Sequence, residues 1–412
     1  MKPSHTLLSI PEDLVSRARY IDAIRPYIGK QVIKVFTGQR RVGKSYLLFQ
    51  MINCIADLDH QATFIYINKE DLRFDFIKNA HDLSEYVLQH LSEKGKTYLF
   101  IDEIQDILDF YAALRSLHLH ENLDIYCTGS NANMLSSDIS GYLSGRFIEL
   151  TVYSLAYTEF LEFHRLKNSS TSLDKYLKYG GLPYLRHLPL EDEIVWEYLK
   201  NVYNTIVYRD IVQRFNIRST HFLERLVLFL ASNTGSLFSA KKISDFLKSQ
   251  QLNMAPNQVQ TYIGYLLNSF ILLAAPRYNI QGKRLFEIGE KYYFENLGIR
   301  NAIWGYRLED RGKILENVVH NHLRMLYYSV KVGVLGNQEI DFVAEKHGEV
   351  LYIQVSLQLI EEKTIEREFG NLLSIKDNHP KILVTLDSYT GNTVKGIQVK
   401  SLAEFLLIEK FH

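Results

Sequence analysis

An eight-residue segment between an apolar strand and a helical pattern restricts the fold of this chain more than any other feature. Residues 38–45 read GQRRVGKS, with glycine at the first and sixth positions and Lys-Ser at the end. Glycines at these positions let backbone N–H groups close around phosphate oxygens, and the following helix presents its positive dipole end to the same anion. Strand, loop and helix together predict a phosphate-binding α/β fold.

Five short apolar runs in the first 150 residues support the same fold class. They cover residues 32–37, 62–68, 98–102, 123–128 and 147–151, and helical patterns separate them. The runs are continuous rather than alternating in polarity, which is typical of parallel strands buried on both faces. We therefore predict a P-loop NTPase core with a parallel sheet.

The rest of the chain changes pattern twice. The length of 412 residues predicts two to three domains at about 150 residues each. Helical patterns follow the sheet and include a helix over residues 193–215, which we interpret as part of a helical lid. Residues 222–231, 240–248 and 256–268 predict three helices, and residues 271–278 and 285–294 predict a β-hairpin. The last hundred residues predict a separate α/β unit, with a helix over 313–328 and strands over 339–344, 350–355 and 382–386.

The third apolar strand ends in two acidic residues that complete a candidate site for ATP and Mg²⁺. We expect Lys44 to reach the β and γ phosphates, and Ser45 and Asp102 to hold Mg²⁺. Glu103 is placed to orient and polarise the attacking water. The residues expected to contact the nucleotide are Gly38, Gln39, Arg40, Arg41, Val42, Gly43, Lys44, Ser45 and Tyr46. The alternative is a nucleotide with a purely structural role, or a decayed site.

Three further residues are candidates for accessory roles. Ser130 follows the fourth strand and could touch the γ-phosphate, or it caps the run that follows. Asn68 ends the second strand and could hydrogen-bond Glu103, or it forms a turn. Arg146 precedes the fifth strand and could stabilise the transition-state charge in a neighbouring subunit, or it forms an ordinary ion pair.

The composition indicates the cellular compartment, and the balanced net charge excludes a general electrostatic attraction of the whole protein to polyanions. The chain carries 47 basic and 47 acidic residues, so nucleic-acid binding must come from a local patch. Its two cysteines, Cys54 and Cys127, lie in apolar stretches, which favours a reducing compartment. The sequence has neither a signal-peptide pattern nor an apolar run long enough to span a bilayer. We expect a cytoplasmic protein without a membrane partner.

With these motifs in order, the chain resembles the prokaryotic AAA-type predicted ATPases with a C-terminal domain of unknown function. The resemblance covers almost the whole length and includes later motifs at residues 180–183, 206–211, 292–298 and 339–343. It implies a P-loop ATPase domain over residues 1–152, a helical lid over 153–218, a winged helix over 219–300 and a nuclease-like (restriction-endonuclease-like) domain over 301–412.

The winged-helix interpretation predicts DNA contact. Residues 239–300 contain eight basic and four acidic residues, and Lys283 and Arg284 fall at the wing, where phosphates are contacted. The third helix offers Asn257, Gln258 and Gln260 but no Arg or Lys, so sequence-specific readout is not expected. The alternative is a packing module without DNA.

The nuclease-like segment has an incomplete set of catalytic residues. Asp341 fits the strand position of a metal-binding Asp, and Glu316 on the preceding helix could assist. Gln354 and Ser356 occupy the places of the Glu and Lys that would bind metal and activate water. The sequence therefore favours an ATP-hydrolysing switch or motor associated with DNA over an ATP-dependent nuclease. The alternative function is an ATP-regulated scaffold or homo-oligomeric assembly switch.

Overall fold

The computed structural model describes residues 10–132, 143, 145–358, 362–386 and 393–411. The chain divides into two compact units. The first runs to Tyr153 and includes Asn268–Phe270, and the second holds the rest of the chain from Ser154. In the described part of the chain, no helix combines the length and apolar character needed to cross a membrane.

The first unit contains a five-stranded, fully parallel sheet. Its strands are β1 (Ile33–Thr37), β2 (Thr63–Asn68), β3 (Thr97–Asp102), β4 (Leu123–Gly129) and β5 (Phe147–Thr151). Their order is β2-β3-β4-β1-β5, so β4 lies between β1 and β3. The five predicted strands are confirmed, each to within one residue at either end. Because the strands are parallel, the loops after β1, β3 and β4 meet at one edge.

The α-helices given full bounds in the described part of the first unit are α1 (Ala18–Ile24), α2 (Lys44–Leu58), α3 (Ala80–Gln89) and α4 (Phe110–Leu117). The apolar stripe of α2 is fully buried, as at Leu47 and Met51, so the helix that follows the phosphate loop is fixed against the sheet. The core also contains a buried ion pair between Lys34 of β1 and Asp124 of β4. The Asp124 carboxylate also accepts hydrogen bonds from Gly29 N and Tyr126 OH, which help to compensate for its burial.

The second unit is built from ten described helices and a larger sheet. The helices are α5 (Tyr157–Phe163), α6 (Ser170–Tyr179), α7 (Asp192–Thr205), α8 (Thr220–Ser232), α9 (Ala240–Ser249), α10 (Pro256–Asn268), α11 (Leu297–Trp304), α12 (Arg311–Met325), α13 (Glu362–Leu373) and α14 (Leu402–Leu406). A π-helical segment, Ile206–Gln213, continues α7. The predicted helix over residues 193–215 is thus present, but its second half is wound more loosely.

Nine strands form the sheet of the second unit. They are β6 (Leu237–Phe238), β7 (Leu272–Asn279), β8 (Arg284–Phe294), β9 (Ser329–Leu335), β10 (Gln338–Lys346), β11 (Glu349–Ser356), β12 (Lys381–Thr385), β13 (Thr393–Val394) and β14 (Ile397–Ser401). Their order is β13-β14-β12-β11-β10-β9-β7-β8-β6. The predicted hairpin corresponds to β7 and β8, and β7 pairs with β9 in parallel. One sheet therefore runs across the predicted boundary between residues 300 and 301.

One predicted helix is too long. The pattern over residues 313–328 predicts a helix that continues to Tyr328, whereas α12 ends at Met325. Tyr327 adopts a left-handed backbone conformation with φ 63°. That conformation ends the helix and turns the chain into β9, which the sequence did not reveal.

Two of the later sequence motifs pack directly against each other. A Cβ atom added to Gly180 would lie 2.6 Å from both the backbone nitrogen of Gly298 and Oδ1 of Asn296. Asn296 donates through Nδ2 to Ser154 Oγ at 2.9 Å, and Glu295 accepts from Ser154 N at 2.6 Å. These motifs therefore have a structural explanation within the second unit, namely close backbone approach and buried hydrogen bonds.

Candidate functional site

The loop that follows β1 has the backbone geometry of an anion cradle. Gly38 has φ 148°, and a Cβ atom there would lie 2.1 Å from the carbonyl oxygen of Val152. Gly43 has φ 96° and is the N-cap residue of α2, whose N-terminus carries no side-chain cap. Glycine is therefore required at Gly38 by both conformation and space, and the start of α2 directs backbone N–H groups into the loop.

Lys44 lies inside this loop rather than on the surface. The residue is 4% exposed. Its ammonium donates to the carbonyl oxygens of Gly38 at 2.9 Å and Gln39 at 3.0 Å. A phosphate bound at the start of α2 would meet this positive charge at short range.

Two residues of the loop are tied to neighbouring segments of the first unit. Arg40 pairs with Glu70 at 3.0 Å. The carbonyl oxygen of Val42 accepts from Arg17 Nη1 at 3.0 Å, which fastens the N-terminal segment to the loop. Both contacts hold the loop in shape without using the backbone N–H groups that would face a phosphate.

The other predicted loop contacts differ in exposure. Gln39 is buried and donates to the carbonyl oxygen of Phe270 at 2.9 Å. Arg41 is exposed and has φ 71°, and Tyr46 is 46% exposed. Within this set, Gln39 is held by protein contacts, whereas Arg41 and Tyr46 are open to solvent.

Asp102 is the centre of a hydrogen-bond network at the same edge of the sheet. Its carboxylate accepts from Thr128 Oγ1 at 2.5 Å, from Tyr66 OH at 3.3 Å and from the side chain of Ser45. Burial raises the pKa of Asp102, the hydrogen bonds from Ser45 and Thr128 lower it, and the charge of Glu103 raises it further. The network fixes the carboxylate next to the first turn of α2.

The donor set at this point suits Mg²⁺. Ser45 and Asp102 bring a hydroxyl and a carboxylate oxygen together, and Mg²⁺ takes few protein oxygens while it keeps several waters. Among the described residues, no three His, Cys, Asp or Glu side chains converge as a metal site. Ser45 and Asp102 are therefore the residues that could hold Mg²⁺ next to a bound phosphate.

Glu103, the predicted water-activating residue, is strained and held from two sides. It is 7% exposed and has φ 58°. Its N–H donates to Thr128 Oγ1 at 2.9 Å, and its carboxylate accepts from Gln105 Nε2. Gln105 Nε2 also lies 3.5 Å from Ser130 Oγ. The structure therefore brings together Glu103 and Ser130, and it adds Gln105, which the sequence analysis missed.

Asn68 has a different partner from the one considered in the sequence analysis. Its Oδ1 accepts from Glu70 N at 2.9 Å, which is the turn-forming contact of a strand-end Asn. Glu70 in turn pairs with Arg40 of the loop. The contact observed for Asn68 is thus the turn, and the amide that contacts Glu103 is that of Gln105.

Arg146 lies at the N-terminal end of the parallel strands, whereas the phosphate loop follows the C-terminal end of β1. The neighbouring Phe147 is paired with Ile33, the first residue of β1, whereas the loop follows Thr37. At about 3.3 Å per residue, the backbone near Arg146 is roughly 13 Å from the end of β1. Arg146 is exposed. This position is unsuited to contact with the phosphate site of the same subunit.

The predicted basic patch of residues 239–300 is smaller than its composition suggests. Lys283, in the turn between β7 and β8, and Arg284, the first residue of β8, are both exposed. Lys291 and Arg300 are buried, however, and Arg300 pairs with Asp310 at 2.6 Å. A count of basic residues therefore overstates the surface charge, because these two side chains neutralise internal carboxylates.

Lys291 contacts the cluster of acidic residues considered above as a nuclease-like metal site. Its ammonium lies 2.8 Å from Glu316 and 2.8 Å from Glu339. Burial opposes its charge, but the carboxylates of Glu316, Asp341 and Glu339 outweigh burial and raise the pKa of Lys291. A lysine thus occupies the space between the carboxylates of this cluster.

Asp341 and the following strand do not form an open metal site. Asp341 accepts from Val355 N at 2.8 Å, and its own N–H donates to Gln354 Oε1 at 3.3 Å. Burial raises the pKa of Asp341 well above its usual range, and the charge of Glu316 adds to this effect. Ser356 Oγ donates to a backbone carbonyl. These contacts favour a structural polar cluster over metal-dependent hydrolysis.

Comparisons with known proteins place the phosphate loop in a recognised domain. Residues 30–161 match an AAA domain, and residues 170–310 match a domain of unknown function (DUF8612). Among solved structures, that of C. elegans PCH-2 is 16% identical, with 42% of this chain and 50% of that chain covered and a TM-score of 0.31. The structure of Drosophila ORC bound to AT-rich DNA and Cdc6 is 10% identical, with 69% and 88% covered and a TM-score of 0.23.

Two other relatives are much more similar in sequence. An uncharacterized protein of Haemophilus influenzae is 35% identical over 402 residues, which is 96% of this chain and 99% of that protein. An uncharacterized protein of Methanocaldococcus jannaschii is 30% identical over 335 residues, which is 78% of this chain and 71% of that protein. The chain belongs to the same family as these two proteins and carries an AAA domain with a phosphate loop.

Proposed function

We propose that this protein is a Mg²⁺-dependent ATPase that acts as a switch or motor. The observation that carries the proposal is the contact between the Ser45 hydroxyl and the Asp102 carboxylate beside the buried ammonium of Lys44. A hydroxyl and a carboxylate that can bind Mg²⁺ thus lie next to a cation that can bind phosphate, where the end of β3 meets the start of α2. The AAA-domain match over residues 30–161 supports the same chemistry.

Each residue of the site has a separate task in the proposed hydrolysis. The loop N–H groups and Lys44 bind the phosphates, and Ser45 and Asp102 hold the metal. Bound Mg²⁺ would neutralise charge that develops on the phosphate oxygens. Ser130 is placed to donate a hydrogen bond to a γ-phosphate oxygen.

Glu103 is the proposed acceptor of the water proton. The water oxygen forms a bond to the γ-phosphorus, and the bond between that phosphorus and the β–γ bridging oxygen breaks. ADP leaves with the electron pair of the broken bond, and the Glu103 carboxylate takes up one proton of the water. The reaction therefore converts ATP and water into ADP and phosphate with no other co-reactant.

DNA is the proposed partner of residues 219–300. The exposed Lys283 and Arg284 lie at the tip of the β7–β8 hairpin, where solvent-facing cations can contact phosphates. On α10, Asn257, Gln258 and Gln260 are exposed, and none of them carries charge. The contact that these residues support is with the backbone of DNA rather than with a particular sequence.

A second candidate function is an ATP-regulated assembly switch without DNA coupling. The position of Arg146 favours it, because this exposed residue lies at the edge of the sheet away from the loop of its own subunit. A neighbouring copy could present Arg146 to the γ-phosphate, so that hydrolysis would depend on self-association. The two functions differ in their response to DNA and to protein concentration.

Steady-state ATP hydrolysis against protein concentration, with and without duplex and single-stranded DNA, tests both functions. Lys44→Ala should abolish binding of a fluorescent ATP analogue, and Glu103→Gln should bind it but turn over at least about a hundredfold more slowly. Lys78→Ala removes an exposed lysine as the matched control. Stimulation by DNA supports the DNA-coupled ATPase, whereas dependence on protein concentration alone supports the assembly switch. Equal turnover by wild type and Lys44→Ala would overturn the ATPase proposal.

A further inference from the structure

A short segment at the end of α10 contacts the phosphate loop. Residues Asn268–Phe270, here called the connector, belong to the first unit, although the chain enters them from α10 and leaves them into β7 of the second unit. Gln39 Nε2 donates to the carbonyl oxygen of Phe270 at 2.9 Å. We propose that Gln39 couples nucleotide binding in the loop to the conformation of the connector, which continues into the β7–β8 hairpin. The inference rests on the proposed ATPase function and concerns the regulation of that site.

The connector has a strained backbone that needs support from its neighbours. Ile271 N donates to the carbonyl oxygen of Leu266 at 3.1 Å, which closes the end of α10. Phe270, just before Ile271, is buried and has φ 58°. Glycine is the usual residue at this left-handed position of a helix end, and a bulky side chain adopts it only where surrounding contacts hold it. The bond that the Phe270 carbonyl accepts from Gln39 is one such contact.

The side chain of Gln39 depends on the connector in turn. Gln39 is 1% exposed. Its Oε1 is buried and has no hydrogen-bond partner within the described part of the chain. An unsatisfied buried acceptor disfavours this position of the amide unless another contact compensates. The bond from Nε2 to Phe270 supplies that compensation, so the amide and the connector stabilise each other.

The backbone of the same residue is bonded to the cation of the phosphate site. Gln39 O accepts from Lys44 Nζ at 3.0 Å. The loop conformation that forms the anion cradle is therefore the one in which Gln39 reaches the connector. A phosphate that binds the loop N–H groups and Lys44 stabilises this loop conformation, and with it the bond to Phe270. By thermodynamic reciprocity, the bound connector favours nucleotide binding.

Hydrogen exchange of the whole chain tests this coupling. The amides of residues 269–272 should exchange about fivefold more slowly at saturating Mg²⁺ and adenylyl imidodiphosphate, an ATP analogue that resists hydrolysis. This factor corresponds to about 1 kcal/mol, the net contribution of one hydrogen bond. Gln39→Met keeps the length of the side chain and removes the donor, whereas Gln39→Asn keeps the amide and shortens its reach. Both variants, each saturated with the analogue, should show less than about twofold slowing.

Two controls separate this coupling from a general stabilisation. Gln31 precedes β1 as Gln39 follows it, and its Nε2 donates to the carbonyl oxygen of His118 at 3.0 Å. Gln31→Met removes this bond of the same kind and should retain the wild-type slowing. The amides of β12 should exchange at the same rate with and without the analogue.

The outcomes distinguish the coupling from the ATPase proposal. Binding of the analogue without slower exchange at residues 269–272, or equal slowing in wild type and Gln39→Met, would overturn the role of Gln39 and leave the ATPase proposal intact. Equal slowing in β12 and the connector would overturn it as well, because the effect would then be global. Absence of analogue binding by the wild-type protein would instead overturn the ATPase proposal itself.

Discussion

Lys291 donates to Glu316 across 2.8 Å, and the same ammonium lies 2.8 Å from Glu339. Lys291 is 4% exposed, so water contributes little to the solvation of its charge. Tyr293 OH donates to the same oxygen of Glu316 at 2.5 Å. The carboxylates of Glu316 and Glu339 are therefore paired with the ammonium of Lys291. In a nuclease of the kind that this segment resembles, acidic residues would instead bind a metal ion.

Lys291→Met should destabilise the second unit by about 3 kcal/mol. Removal of Lys291 leaves the partly buried Glu316 without its counter-charge, which is the costly case for internal ion pairs. Urea unfolding monitored by circular dichroism measures the change in free energy. Lys283→Met removes an exposed lysine of the same hairpin and should alter stability by less than about 0.5 kcal/mol. Equal effects of the two substitutions would contradict the structural role of Lys291.

The first unit was predictable because its signals are local. Each strand is a short continuous apolar run, and the phosphate loop joins β1 to α2 with glycines where the backbone needs them. Asp102 and Glu103 were identifiable because they end a buried strand. The contact of Gln105 with Glu103 gave no such signal. It depends on how the chain turns after Glu103 and on the position of Ser130, which follows β4.

The second unit was less predictable because its sheet depends on long-range pairing. β9 contains Lys331 and Gly333, which weaken an apolar strand pattern, and its position is set by β7 and β10 on either side. The burial of Lys291 was not predictable either, because a lysine in a basic segment is assigned to the surface unless its carboxylate partners are known. Composition could count these charges but could not locate them.

His320 should make the second unit sensitive to mild acid. Burial, aided by the charge of Arg324, lowers the pKa of His320 to about 3. The unfolded chain therefore binds more protons between about pH 6.5 and pH 3, so stability is present above this window and is lost as pH falls through it. Wild type should lose about 2 kcal/mol more than His320→Phe between pH 7 and pH 5.

Unfolding of both proteins at the two pH values checks this prediction. The ring of His320 stacks on Tyr293 with centroids 4.3 Å apart, so phenylalanine preserves an aromatic contact. Any packing cost of the substitution is common to both pH values and cancels in the comparison. His81→Gln, at an exposed position on α3, should show the wild-type pH dependence. Identical losses in wild type and His320→Phe would show that His320 does not carry the effect.

The turn between β7 and β8 should contribute to DNA affinity without sequence preference. Replacement of Lys283 and Arg284 by alanine removes two exposed cations, so affinity should fall alike for different duplex sequences. The slope of log K against log salt should decrease by about 2, because each phosphate contact contributes about 0.9. Fluorescence anisotropy with labelled duplexes over a salt series measures both quantities.

The matched control for the turn is a double alanine variant of Lys200 and Lys410, two exposed lysines of the second unit. It should retain the wild-type affinity and slope. A wild-type protein that fails to bind duplex at low salt would exclude the DNA partner, and the interpretation of the hairpin would revert to that of a packing module.

Arg146→Ala should remove the dependence of ATP turnover on protein concentration and lower kcat by at least about a hundredfold, if a neighbouring subunit supplies this cation. ATP affinity should stay unchanged, because the backbone at Phe147 is paired with the start of β1, away from the loop after Thr37. Arg115→Ala, at the exposed end of α4, is the matched control. A mixture of Arg146→Ala with Lys44→Ala should regain activity, because a subunit that cannot bind ATP still presents its arginine. If the mixture hydrolyses ATP no faster than either variant alone, Arg146 does not act on the site of a neighbouring subunit.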